Sequence, residues 1–137
     1  MRTIQNRLAR EESGFTLIEL LVVMTIAVIL ASVGLTLYGS SVTRAKEAAL
    51  SEDLFQMRKA IDEYYADKQK YPSSLETLVS EKYLREIKPD PFTLSVDTWQ
   101  TTMSEPDAAN PSAETGIYNV KSGAPGTGSD GRPYSEW

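Results

Sequence analysis

The chain has 137 residues and a formal net charge of −5, room for one modest domain and too acidic for nucleic acid as a main partner. It contains no Cys and no His, which excludes disulfides, Cys/His zinc sites and histidine acid–base chemistry. Hydrophobic residues make up 41%, yet no charged residue lies between Leu20 and Thr43, while the remainder is polar and rich in turn formers.

Residues 1–14 form a short polar segment carrying Arg2, Arg7 and Arg10 against Glu11 and Glu12. From Phe15 to Leu37 the chain is almost continuously apolar over 23 residues, close to the roughly 20 that cross a bilayer core as a helix. Its one charge, Glu19, lies near the amino end. The three preceding arginines outweigh Arg44 and Lys46, which have Glu47 beside them. This cation bias predicts a cytoplasmic amino end and an external carboxyl end.

The helical pattern continues past the apolar run. Leu50, Leu54, Met57, Ile61 and Tyr64 recur at steps of four and three, the spacing of one helix face. No proline intervenes before Pro72, so a continuous helix is expected from Phe15 to about Asp67, ended by Tyr71-Pro72. Gly34 and Gly39 are its soft points. Ser73 with Glu76 offers a capping box for a short second helix carrying Leu75, Leu78 and Val79, docked on the Met57/Ile61/Tyr64 face. Pro89-Asp90-Pro91 then breaks the chain. Two strands are expected at roughly Thr98–Met103 and Gly116–Lys121, joined by the loop Ser104–Thr115 with Pro106 and Pro111. The tail Ser122–Trp137 reads as a loop.

The informative run is Ser13-Gly14-Phe15-Thr16-Leu17-Ile18-Glu19. A secretory signal is ordinarily cut after its apolar region at a small-residue site. Here the small residue, Gly14, precedes the apolar region, so a cut there keeps the hydrophobic segment. Glu19 costs about 2.5–3.5 kcal/mol deep in a bilayer, and such a group has a partner or a task. A cut after Gly14 creates an amine on Phe15 that can neutralise Glu19 of a neighbouring chain and fix the offset between two helices. The same chain's amine lies about one helical turn away.

Gly14-Phe15-Thr16-Leu17-Ile18-Glu19-Leu20 resembles the processing motif of type IV prepilins and type II secretion pseudopilins. The resemblance covers about the first seventy residues. It implies that residues 1–14 are a leader removed by a prepilin peptidase, with Gly14 and Phe15 as the cleavage pair, Phe15 as the N-methylated residue and Glu19 as the assembly glutamate. Residues 15–38 then form the transmembrane and assembly half of the long helix, and residues 39–137 a periplasmic globular domain. Removing residues 1–14 leaves 11 cationic and 17 acidic side chains. The implied fold is α+β and pilin-like: a long amino-terminal helix, a small antiparallel sheet and a looped tail.

The absence of Cys departs from adhesive type IV pilins, which usually close a carboxyl-terminal loop with a disulfide. The runs Ala60–Asp67, Tyr71–Leu75, Asp90-Pro91 and Gly116–Ala124 resemble the major pseudopilin of type II secretion. The implied partners are identical subunits in a helical filament, an inner-membrane assembly platform, minor pseudopilins, and membrane lipid before assembly. Relatives carry a proline late in the apolar half, where this chain has Val33-Gly34-Leu35-Thr36. Their terminal loop often binds Ca²⁺ through several Asp, whereas Ser122–Trp137 has only Asp130, with Glu136 as a second carboxylate. Ca²⁺ favours six to eight oxygen ligands, so backbone carbonyls would have to supply most of those beside Asp130.

Asp62, Glu63 and Asp67, beside Lys59, Lys68 and Lys70, read as a solvated charged face. Tyr64, Tyr65 and Tyr71 read as packing groups with a polar tip. Nothing pairs a nucleophile with a base, so a structural role rather than an enzyme is expected. The rivals to a secretion pseudopilus subunit are a surface pilin for adhesion, motility or DNA uptake, a membrane-tethered binding domain, and a secreted enzyme with a signal cut near Ala31–Gly34.

Overall fold

The computed structural model describes residues 14–106, 108–109 and 114–137. Most of the leader, with Arg2, Arg7 and Arg10, lies outside them, as does part of the Ser104–Thr115 loop with Pro111. Helix α1 spans Leu17–Lys68 and α2 spans Leu75–Ser80. Strands β1 (Gln100–Met103) and β2 (Ile117–Lys121) follow, and then a single 3-10 turn at Tyr134–Glu136. The chain is therefore α+β, with the long helix, small antiparallel sheet and looped tail of a pilin-like fold.

By their contacts the residues fall into two units, one ending at Gly39 and the other running Ser40–Trp137. In the first, every described residue from Gly14 to Gly39 is exposed. Three of its hydroxyls are satisfied locally. Thr25, Ser32 and Thr36 donate to the carbonyls of Leu21, Val28 and Ser32, so these side chains offer no bare polar group to an apolar surrounding.

The second unit holds the core. Leu50, Leu54, Met57, Ile61 and Tyr64 are all buried, as their spacing requires if one face of α1 is covered. Leu75 and Leu78 of α2, Trp99, Ile117, Val120, Ala124 and Tyr134 complete the same cluster. Tyr64 meets Tyr83 edge-on and Tyr65 stacks on Tyr71, so these tyrosines pack as expected. Asp62, Glu63 and Asp67 lie on the exposed face, where Glu63 faces Lys59 at 3.8 Å and Asp67 accepts from the Tyr83 hydroxyl.

Helix α1 ends at Lys68, within a residue of the expected end near Asp67: Gln69 turns left-handed (φ 56°) and its N–H returns to the Tyr65 carbonyl at 2.9 Å, which closes the helix before Tyr71-Pro72 is reached. One cap differs from the sequence expectation. The cap of α2 is Ser74, not Ser73: its backbone is extended and its hydroxyl oxygen accepts the Thr77 N–H at 3.3 Å. Burying both Leu75 and Leu78 starts the helix at Leu75, which leaves Ser73 one residue too early.

The sheet pairs Gln100 with Lys121, Thr101 with Val120, Thr102 with Asn119 and Met103 with Ile117. The register shifts between Thr102 and Met103, so Tyr118 is the extra residue of a bulge. That bulge lets Ile117 and Val120, three apart, both reach the core while Tyr118 points outward. Between α2 and β1 the chain is organised around Asp90. This fully buried carboxylate accepts from the Phe92 and Thr93 amides and from the Ser122 hydroxyl beyond β2. Trp99 adds a hydrogen bond from its indole N–H to the Lys88 carbonyl at 2.9 Å.

Ile61 is fully buried and Phe55 on the same helix is 62% exposed. Ile61→Ala is expected to cost about 2–5 kcal/mol of stability, whereas Phe55→Ala stays within roughly 0.5 kcal/mol. Denaturant unfolding followed by Trp99 fluorescence checks both.

Candidate functional site

The Gly14–Phe15 bond lies in the non-helical run just before α1, and both residues are exposed, Phe15 by 79%. A protease that binds extended chain meets no side chain at Gly14, where nothing stands within 4 Å of the missing Cβ. Thr16 caps the helix. Its hydroxyl oxygen accepts the Glu19 N–H at 3.2 Å, and its carbonyl accepts the Leu20 N–H at 3.0 Å. Glu19 is the third residue of α1, in the first turn, where the helix dipole favours a negative charge. Its carboxylate is exposed and has no partner among the described residues. The capping role of Thr16 was not read from the sequence, although Thr16-Leu17-Ile18-Glu19 carries the S/T-x-x-E signature that signals it.

Asp130, the candidate metal ligand, sits in a turn closed by Arg132. One carboxylate oxygen accepts the Arg132 N–H at 3.0 Å, and the other takes the guanidinium Nε and Nη2, each at 2.8 Å. Those bonds hold the Asp130 carboxyl below its usual range. No group of three or more His, Cys, Asp or Glu side chains able to hold a metal occurs among the described residues. With both its oxygens taken by Arg132, Asp130 does not fit as a Ca²⁺ ligand in this arrangement.

Another carboxylate holds this segment. Glu47 of α1 is 6% exposed and accepts the Ser129 amide at 2.8 Å, the Ser129 hydroxyl at 2.6 Å and the Tyr134 hydroxyl at 3.1 Å. The Ser129 bonds are the main cause that keeps Glu47 below the usual glutamate range. Burial, and then the bond to Glu47, raises Tyr134, so its hydroxyl remains a donor at neutral pH. Eleven residues further along α1, half-buried Arg58 donates to Asn119 Oδ1 at 2.9 Å and to the carbonyls of Val120 at 2.9 Å and Trp137 at 2.6 Å. Between these anchors Tyr134 stacks on Phe92 and meets Trp137 edge-on. A Cβ at Gly128 would stand 2.4 Å from the Trp137 ring, so a larger residue there would displace the ring. No local signal marked Glu47 or Arg58, since their partners lie 61 to 87 residues away.

Residues 9–35 match the family described as the prokaryotic N-terminal methylation motif, a motif of pilin and pseudopilin type. The match places Gly14, Phe15 and Glu19 inside the motif and covers the first two turns of α1 and beyond. No curated protein and no solved structure matches the chain. Helix α1 is also long and apolar enough, by length and composition, to cross a membrane.

Glu47 and Asp130 set an acid limit on the second unit. A carboxylate held below its unfolded range contributes stability above that range, and the contribution disappears as the pH falls through the folded value. Stability is therefore expected to decline as the pH drops below the ordinary carboxylate range. Glu47→Gln should give a shallower decline that is not flat, because Asp130 and Glu76, in the first turn of α2, are also lowered. Thermal midpoints measured from pH 7 to roughly pH 3 check the slope.

Proposed function

We propose that this chain is a structural subunit of a secreted helical filament of the pilin and pseudopilin kind. It is cut between Gly14 and Phe15, methylated on Phe15, and packed through its apolar helix. The observation that carries this reading is the coincidence of the methylation-motif match with an apolar helix that has no protein cover and one unpartnered charge, Glu19. Before assembly the apolar stretch rests in the inner membrane, with residues 39–137 on the periplasmic side. In the filament it exchanges lipid for identical neighbours, and the Phe15 amine of one subunit neutralises Glu19 of the next.

Within that class the reading is a type II secretion pseudopilus, whose growth helps export folded proteins. The support is compositional: the chain has no Cys to close a terminal loop in the manner of adhesive pilins. Its work is mechanical; the cleavage and methylation belong to a prepilin peptidase acting on it.

Protein recovered from a bacterial host with a prepilin peptidase should begin at methylated Phe15 by mass spectrometry. A chain retaining Met1, or trimmed near Ala31–Gly34, would sink the proposal in favour of a tether or a secreted enzyme. Gly14→Leu should leave the leader in place. Glu19→Ala should be processed normally yet yield only background amounts of sedimentable polymer; polymer at the wild-type level refutes the assembly role. Loss of secreted enzymes on deletion, with surface motility intact, supports the pseudopilus over a surface pilus, and the opposite pattern reverses that choice.

A further inference from the structure

We propose that the segment Gly126–Trp137 is fastened by the Glu47 carboxylate and closes without a bound cation. This inference concerns the second unit alone and stands whether or not the chain forms a filament.

The segment is a small closed turn in its own right. Thr127 bridges Pro133, the Gly128 amide donates to the Arg132 carbonyl at 2.8 Å, and the Tyr134 amide returns to Gly126 at 3.2 Å. These bonds shape the loop but do not attach it to anything. Attachment needs groups from elsewhere in the chain, and α1 supplies them with opposite charge. Glu47 and Arg58 are eleven residues apart, close to three full turns, so they share the face that carries Leu50, Leu54 and Ile61.

The chemistry of each anchor matches what it meets. A carboxylate only accepts, and Glu47 receives three donors from two separated points of the loop, Ser129 at the tip and Tyr134 at its base. A guanidinium only donates, and Arg58 reaches the carbonyls of Val120 and Trp137. A cation gathers acceptor oxygens from different points of a chain and holds them together. Glu47 does the complementary thing, gathering donors, and so performs the same cross-link with the opposite sign.

The two carboxylates nearest this fastening are also already engaged. Both Asp130 oxygens are engaged by Arg132, and Glu47 already accepts three of the about four hydrogen bonds a carboxylate can take. Entry of an ion would require breaking the Arg132 pair and turning Ser129 and Tyr134 away from Glu47.

The test uses the full chain in detergent micelles, with two readouts. The thermal midpoint should be the same in excess EDTA and in excess CaCl₂; a resident ion at a hundredfold over its dissociation constant would raise it by more than about 5 °C. Hydrogen exchange should show the Gly128–Trp137 amides protected in the wild type. In Glu47→Ala and Glu47→Gln they should exchange at least about tenfold faster, while the β1 and β2 amides stay protected. Ser129→Ala, which keeps the backbone bond to Glu47, should give a smaller acceleration and serves as the milder variant should Glu47→Ala fail to fold. A midpoint lowered by EDTA or raised by Ca²⁺ overturns the proposal. So does wild-type protection of the loop in Glu47→Gln.

Discussion

A helix satisfies its own backbone hydrogen bonds but cannot cover its own side chains, and the rest of this molecule follows from that constraint. Over Ser40–Trp137 the chain folds back and covers one face of α1, so Leu50, Leu54 and Ile61 leave water. Over Gly14–Gly39 no described residue is covered by the chain itself, although the side chains there are as apolar as those of any core. Burial is worth roughly 25 cal/mol per Å² of apolar surface, so an uncovered stretch of this length strongly favours any surrounding that excludes water. Lipid and a bundle of identical helices both meet that demand. A helix is also the only open-ended element that can enter lipid without exposing bare backbone groups. The back-bonded hydroxyls of Thr25, Ser32 and Thr36 extend the same economy to the side chains.

The second unit solves a different difficulty. Its regular structure beyond α1 amounts to one short helix, two short strands and a 3-10 turn, so hydrogen-bonded ladders cannot hold its long irregular stretches. Buried and half-buried polar side chains do that instead. Asp90 organises the turn after α2 and joins it to Ser122; Glu47 and Arg58 tie the last segment to α1. Each has its hydrogen-bonding capacity largely filled, which is the condition under which a buried polar group fixes a unique arrangement rather than weakening one. Aromatic packing of Phe92, Tyr134 and Trp137 fills the space between these anchors.

What was legible in the sequence was local or periodic. The stripe from Leu50 to Tyr64 announced a half-covered helix, and the Gly14–Glu19 run lies inside the matched N-terminal methylation motif, because both lie within a few turns of chain. The strands were found to within about two residues. The errors came where one local signal competed with another: Ser73 and Ser74 are both plausible caps, and only the burial of Leu75 and Leu78 chooses between them. Proline at position 72 suggested the end of α1, but the left-handed Gln69 acts first. Glu47 and Arg58 were invisible, since a charge at a helix position says nothing of a partner 82 or 79 residues later. Asp130 drew attention as a Ca²⁺ ligand through the resemblance of the terminal loop, and the structure places it in a turn closed by Arg132.

The carboxylates of the chain sort themselves by how they are satisfied, and the sorting bears on the role of Glu19. Asp90 and Glu47 are buried and met by donors from the same chain. Asp62 and Glu63 face water, which is partner enough. Glu19 belongs to neither group: it stands in an otherwise uncharged apolar stretch, with only the helix dipole and no side-chain partner among the described residues. In water that arrangement is harmless. Once the neighbouring Leu17, Ile18, Leu20 and Leu21 are covered by lipid or protein, the charge becomes expensive, and the cost is relieved by a cation held at the same depth. Under the proposed cut, an amine at Phe15 would lie at that depth on every identical helix, and packing copies with a fixed offset would remove the penalty at each junction. The same residue that opposes random burial of the helix would thereby favour one ordered way of burying it.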